Sequence, residues 1–231
     1  MFNGHKIAAV IPAKGCSKGV PRKNLKDLYG KPMIEYTIEA AKNSKYIDII
    51  SIATEDAEIA ELAKKSGLEA VIDPQQPTDT NPLDPVYEYN IKELEKKAKY
   101  KIDVAILLQP TSPLRNSKHL DEAIEKFFTE KADSLLSVTN SHKFLWKQKN
   151  DTAFALNYDY KNRQVRQEKE QEYAENGAIY IIKKDLLYNA HCRLGGKISL
   201  YVMEDEQSVE VDNRFDFLLI ENIMKLKNEK N

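Results

Sequence analysis

Two short stretches of this chain carry residue types that could do chemistry. The first is Ile7–Leu25, IAAVIPAKGCSKGVPRKNL. Behind the apolar run Ile7–Ile11 and Pro12 come two glycines (Gly15, Gly19), a serine (Ser17), four cations (Lys14, Lys18, Arg22, Lys23) and then Asn24. Glycines let a backbone approach a ligand closely, and successive amides in such a turn can face an anion. Dense positive charge in that setting points to a polyphosphate, with an ordinary solvated basic loop as the alternative. The stretch is not a Walker A motif, which needs GxxxxGK[ST], nor a GxGxxG dinucleotide turn.

The second stretch is Glu210-Val211-Asp212. On a strand, side chains alternate with a period of two, so both carboxylates would share one side while Val209 and Val211 face the core. Hard oxygen donors of this kind suit Mg²⁺, which binds one or two carboxylates plus substrate phosphates. A strand edge with solvated acids is the alternative. Beside a basic phosphate loop the metal reading gains weight, because polyphosphate chemistry needs cations on one side and a metal that neutralises charge as it builds. Other chemistries have little support. The two cysteines, Cys16 and Cys192, lie far apart, and the four histidines are scattered. Neither a disulfide framework nor a CxxC zinc pattern is present.

These residues need a scaffold. A chain of 231 residues, 42% apolar, can form one large domain or a domain with a sub-domain. A net charge of -1 with interleaved signs argues against a general nucleic-acid or membrane-surface binder. No apolar stretch reaches membrane-spanning length and no leader pattern opens the chain, so a soluble cytoplasmic protein is expected. Apolar runs predict buried strands at 7–11, 47–53, 69–72, 104–108 and 134–138, and helical spacing predicts helices at 33–42, 58–66, 86–99 and 118–128. Strand–helix alternation indicates an α/β fold with a mostly parallel sheet flanked by helices. Ligands in such sheets bind beyond the carboxyl ends of the strands. That draws attention to the loops at 12–24, 54–56, 73–85 and 109–115.

From Thr139 the rhythm breaks. Residues 142–173 are charged and aromatic, including Phe144, Trp146, Phe154, Tyr158, Tyr160 and Tyr173. Such a composition fits an interface, or an insert with its own small core. Strands at 178–182 and 198–202, a short helix at 185–188 and a terminal helix at 213–227, capped by Asn213, follow.

The runs IPAKGCSKGVPRKNL, ATEDAEIA (53–60), LLQPTSPLR (107–115), ENGAIYI (175–181) and VEVDNRFDF (209–217) resemble, in order, those of the CMP-sialic acid synthetases, or acylneuraminate cytidylyltransferases. The resemblance covers nearly the whole chain. It implies a Rossmann-like nucleotidyltransferase fold over 1–139 and 175–231, and a homodimer whose insert, 140–174, reaches the partner's site. It places Ala13, Lys14, Gly15, Ser17, Lys23 and Asn24 on CTP. It places Gln109, Thr111 and Ser112 on the incoming sugar, with Lys143, Arg163 and Arg166 as cations supplied across the dimer. It makes Asp212 the Mg²⁺ ligand with Glu210 assisting, and Lys14, Lys23 and Asp212 the catalytic set. Four positions depart from the family pattern: Lys14 where arginine is usual, Cys16, Asp73 before Pro74 where a cation is usual, and Glu210 where aspartate is usual. The implied reaction joins CMP from CTP to the anomeric hydroxyl of a nine-carbon 2-keto-3-deoxy acid sugar of the sialic, legionaminic or pseudaminic type, releasing pyrophosphate. The alternatives are the same fold with another acidic acceptor or another NTP, and a nucleotide-binding protein that has lost catalysis.

Overall fold

A computed structural model of the chain describes residues 1–17, 19–72, 82–98, 101–163, 165 and 170–229. The apolar run behind the basic loop is β1 (Ile7–Pro12), with five of its six residues buried. The loop leads to a small ribbon of β2 (Asp27–Leu28) and β3 (Lys31–Pro32). The chain then alternates through α1 (Met33–Lys42), β4 (Ile49–Ala53), α2 (Ala57–Lys65), β5 (Glu69–Val71), α3 (Leu83–Ala98), β6 (Val104–Leu107), α4 (Ser117–Thr129) and β7 (Ser134–Ser141). A hairpin of β8 (Trp146–Lys149) and β9 (Thr152–Ala155) interrupts the alternation. The rest is β10 (Glu172–Lys183), α5 (Lys184–Ala190), β11 (Ile198–Val202) and α6 (Arg214–Asn228).

Seven strands form one sheet in the order β11-β7-β10-β6-β1-β4-β5. Parallel pairing joins β6 to β1, β1 to β4, β4 to β5 and β7 to β11. Strand β10 runs antiparallel to both β6 and β7 and is the seam between the two parallel sets. Two apolar clusters cover the two faces of β1: Ile7, Ala9 and Ile11 pack with Ile34, Ile38 and Ile124, whereas Ala8 and Val10 pack with Tyr87, Ile91 and Leu94. A central strand buried on both faces reads as a continuous apolar run, as this one does.

Three expectations need correction. Residues 83–85, expected in a long loop, open α3; Pro85 is tolerated there because the first turn of a helix has no intrahelical partner for its N–H groups. Glu210-Val211-Asp212 is not on a strand: the segment has no ladder on either side. It is an extended link from a 3-10 turn at Asp205–Gln207 to α6, held to a neighbour by the Val211 N–H donating to the Thr111 carbonyl at 2.8 Å. The alternation expected of a strand survives only at Val211 and Asp212, and Glu210 and Asp212 differ in burial. Val211 is fully buried with Leu28, Met33, Phe217 and Ile220, Val209 packs against the same cluster, and Asp212 points outward. Strand β10 is longer than expected, because its first residues pair with the far end of β7 out to Ser141.

Asn213 caps α6 as expected, accepting from the N–H groups of Phe215 and Asp216, and Asp216 returns the bond to the cap's N–H. The hairpin region carries the expected aromatics. Phe144 and Tyr158 rings lie 4.4 Å apart and Trp146 and Tyr160 rings 5.6 Å apart, yet Trp146 and Tyr160 remain about half exposed. No helix among the described residues is long and apolar enough to cross a membrane.

Candidate active site

Beyond the carboxyl ends of β1 and β6 lies a cleft of about 420 Å³. The basic loop contributes Lys14, Cys16, Ser17, Gly19, Lys23 and Asn24, the loop after β6 contributes Gln109, Pro110 and Thr111, and the link before α6 contributes Glu210 and Asp212. Leu83, at the start of α3, completes the rim.

The basic loop is pinned from outside. The Ala13 N–H donates to the Ala53 carbonyl at 2.8 Å and the Gly15 N–H to Glu55 Oε1 at 2.8 Å. A Cβ on Gly15 would stand 2.2 Å from Asp56 Oδ2, so only glycine fits. Asp56 caps α2 and also receives the guanidinium of Arg22, whose backbone is left-handed at φ 51°. Arg22 reaches Glu58 as well, at 2.7 Å. It is a clamp on the outer side of the loop, and it does not line the cleft. Inside, buried Asn24 donates its amide to the Lys14 carbonyl at 2.9 Å and holds the turn closed. Ala13 and Gly15 are thus backbone anchors whose amides are engaged within the protein, and neither lines the cleft.

Lys23 joins the two halves of the site. Its Nζ donates to the Val211 carbonyl at 2.9 Å and stands 4.0 Å from Asp212 Oδ1. Gly19 belongs to the same junction, since a Cβ there would meet the Asp212 carbonyl at 1.9 Å. The acidic link is therefore seated on the basic loop by its backbone, which leaves Asp212 largely exposed at the cleft with its side chain 75% accessible.

Glu210 points inward. At Gly177, where φ is 63°, a Cβ would lie 1.9 Å from Glu210 Oε1 and 2.6 Å from Gln109 Oε1. Both side chains thus converge on a backbone that only glycine supplies. Burial pushes the Glu210 carboxyl up to about 7, and repulsion from Asp212 and Glu175 adds to it against the attraction of Lys23. A carboxyl held protonated by burial and by the charge of a second carboxylate, facing a cleft with hard oxygen donors, fits a divalent cation, which would relieve that repulsion. Among the described residues no group of three or more His, Cys, Asp or Glu side chains could hold a metal ion. Glu210 and Asp212 would accordingly supply two ligands and leave the remaining positions to water and substrate.

Other expected residues fall elsewhere. Ser112 is fully buried and donates its hydroxyl to the Asn176 carbonyl at 3.4 Å, so it is structural within this chain. Thr111 reaches the cleft and also supplies the carbonyl that holds Val211. Lys143 and Arg163 lie in the hairpin region and do not line this chain's cleft; the Arg163 guanidinium stacks 4.3 Å over the Phe144 ring. Lys18, Asp73, Pro74 and Arg166 lie outside the described residues. The sequence reading misses Arg115, Gly177 and Leu83. The only sequence signals for the first two are their places inside LLQPTSPLR and ENGAIYI.

A family model described as Cytidylyltransferase matches residues 8–231. The chain is 34% identical over 223 residues to the N-acylneuraminate cytidylyltransferase A of Danio rerio, covering 93% of this chain and 50% of that one. It is 33% identical to the N-acylneuraminate cytidylyltransferase of Escherichia coli O18:K1:H7, covering 97% and 54%. It therefore spans about half the length of these two relatives. The post-translational flagellin modification protein B of Campylobacter coli is 31% identical and matches nearly end to end, at 96% of this chain and 97% of that one. A solved CMP:2-keto-3-deoxy-manno-octonic acid synthetase in complex with CTP superposes with a TM-score of 0.70 at 16% identity, over 96% of this chain and 99% of that one. A 4-diphosphocytidyl-2C-methyl-D-erythritol synthase from Anaerococcus prevotii DSM 20548 gives 0.71 at 14%, over 97% and 98%. Those two likenesses concern the fold, whereas the family match reaches across the sequence: the chain belongs to the cytidylyltransferase family, as the resemblance of its motifs to the acylneuraminate cytidylyltransferases implies.

Proposed function

We propose that the chain transfers CMP from CTP to the anomeric hydroxyl of a nonulosonic acid of the sialic, legionaminic or pseudaminic type and releases pyrophosphate. The observation that carries this reading is the seating of Val211 and Asp212 on Lys23, which makes the basic loop and the acidic pair two walls of one cleft. The names of the relatives at 31–34% identity, N-acylneuraminate cytidylyltransferases and a flagellin modification protein, support it.

In this reading Ser17, Lys23 and Asn24 seat the nucleotide, and Lys14 and Lys23 face the charge gathering on the departing pyrophosphate. Gln109 and Thr111 orient the sugar so that its oxygen attacks the α-phosphate in line. Most of the rate comes from positioning and electrostatics, as in phosphoryl transfer generally. Mg²⁺ held by Asp212 and Glu210 would polarise the α-phosphate and neutralise charge on the triphosphate. Residues 140–174 serve as a dimerisation insert within the nucleotidyltransferase domain of 1–139 and 175–231. The half-exposed Trp146 and Tyr160 support a homodimer in which Lys143 and Arg163 reach the partner's cleft. The same reading places the chain in the cytoplasm, with neither nucleic acid nor membrane as a partner.

The test is pyrophosphate release from each of the four NTPs against a panel of acidic sugars, with Mg²⁺. Release confined to CTP with a nonulosonic acid is expected. Release with another NTP or another acid would move the chain to that reaction. Tight CTP binding with no release for any acceptor would make it a nucleotide-binding protein without catalysis.

A further inference from the structure

Arg115 has no place in the roles above, although it ends the LLQPTSPLR stretch. The residue is 2% exposed, and among the described residues no carboxylate pairs with it. Its Nη1 donates to two backbone carbonyls, Gln109 at 3.2 Å and Ala178 at 2.7 Å. Its Nε and Nη2 are buried without a partner.

The position of those two carbonyls gives the arrangement its meaning. The antiparallel ladder between β6 and β10 runs from Val104↔Lys183 to Leu107↔Tyr180 and stops there. Past that pair one strand becomes the loop carrying Gln109. The other passes through the irregular stretch between Glu175 and Tyr180 that holds Gly177. The guanidinium spans the gap that the ladder leaves. Gln109 and Glu210 side chains converge on Gly177. The gap therefore lies between the Gln109 loop and the Gly177 turn, where the Gln109 and Glu210 side chains meet.

An apolar residue of similar volume would fill the site with no desolvation penalty, and a buried cation lacking a counter-charge is destabilising. Two carbonyl bonds offset part of that cost. Stability alone gives weak grounds for an arginine at this position.

We propose that Arg115 is a positioning residue that fixes the spacing between the Gln109 loop, which lines the cleft, and the Gly177 turn behind it, and so holds the Gln109 side chain in place for the acceptor. The activity readout of this inference rests on the cytidylyltransferase reading above. Steady-state kinetics of wild type, Arg115→Met and Arg115→Lys, with CTP and whichever acceptor the wild type turns over, test it. Arg115→Met is expected to lower kcat/KM for the acceptor by about a hundredfold, the scale of a misplacement near 1 Å, while the KM for CTP stays within about threefold. Arg115→Lys, which keeps a cationic donor for the carbonyls, is expected to recover most of the loss. Amide hydrogen exchange should accelerate at Thr111, Ser112, Gly177 and Ala178 in Arg115→Met and remain slow in β1. Wild-type kinetics in Arg115→Met would overturn the proposal. So would a parallel fall for both substrates that tracks a lowered melting temperature, the mark of a merely structural residue. If Arg115→Met does not fold, Arg115→Gln carries the same comparison. A wild type that releases no pyrophosphate from any NTP refutes the proposed function, whereas unchanged exchange at the four amides refutes this inference.

Discussion

Replacing Glu210 with glutamine should stabilise the metal-free protein at alkaline pH while abolishing its turnover. Burial, with help from Asp212 and Glu175, lifts the Glu210 carboxyl from its ordinary 4.5 to about 7. A carboxyl that holds its proton more tightly when folded carries no penalty below about 4.5, where both folded and unfolded forms are protonated. Stability falls as pH rises from there towards 7, because the unfolded chain ionises first, and the loss is complete above about 7. At 1.36 kcal/mol per pH unit the displacement corresponds to about 3 kcal/mol. The group is partly exposed, so screening reduces this to about 1.5 kcal/mol. For a chain of this size that is about 3–6 °C in melting temperature. Glu210→Gln removes the penalty and keeps the side-chain volume. Thermal unfolding with chelator present should therefore show the variant about 3–6 °C above wild type at pH 8.5 and level with it at pH 4. Adding Mg²⁺ at pH 8.5 should raise the wild type more than the variant, because a ligand of the folded state stabilises it in proportion to its affinity. A gain of equal size at both pH values, or a lower melting temperature at pH 8.5, would refute the reasoning.

Asp212→Asn keeps the shape of the link and removes the exposed carboxylate; pyrophosphate release from CTP with Mg²⁺ should fall by about a hundredfold or more, as metal assistance is worth several kcal/mol, and near-wild-type turnover would remove Asp212 from the metal role. Gly177→Ala places a Cβ in the left-handed region and against Glu210 and Gln109; it should cost about 1–2 kcal/mol of stability from backbone strain and depress turnover far more than that loss explains, as melting curves and initial rates will show. Asn213→Ala removes the α6 cap and should cost about 1 kcal/mol, read as a melting temperature lower by about 2–4 °C. Alanine at both Trp146 and Tyr160 should convert a dimer to a monomer in light scattering, with little change in the circular dichroism of the sheet and helices.

What could be read from residue order alone follows the locality of each signal. The basic loop, the apolar run of β1 and the Asn213 cap are written in consecutive residues, and the structure contains all three. The carboxylate pair is found, yet its strand is not, because alternation describes any extended segment and says nothing about a neighbouring ladder. Ala13, Gly15 and Ser112 sit in the right motifs but turn to the interior, since a motif marks a stretch of chain and not the direction of a particular amide or hydroxyl. Arg115 escapes because a charged residue is read as surface, and only its 2% exposure reverses that. Gly177 escapes for a related reason: its value lies in a positive φ and two approaching side chains from distant parts of the chain. The antiparallel seam at β10 depends on which strand pairs with which, a property that hydrophobic period does not carry.

The bond from Lys23 to the Val211 carbonyl spans 188 residues of chain. During synthesis the first wall of the cleft leaves the ribosome long before the second. A nascent chain that ends short of residue 211 can form β1 and its neighbours but holds only half a pocket. Contacts of such long range are the slow part of folding, because loop closure must be completed before they contribute. Nucleotide binding would then act as a signal that the two walls of the cleft have met. It becomes possible only when the link at Val211 has been laid against the basic loop, and once established it ties these two distant stretches into one cooperative unit.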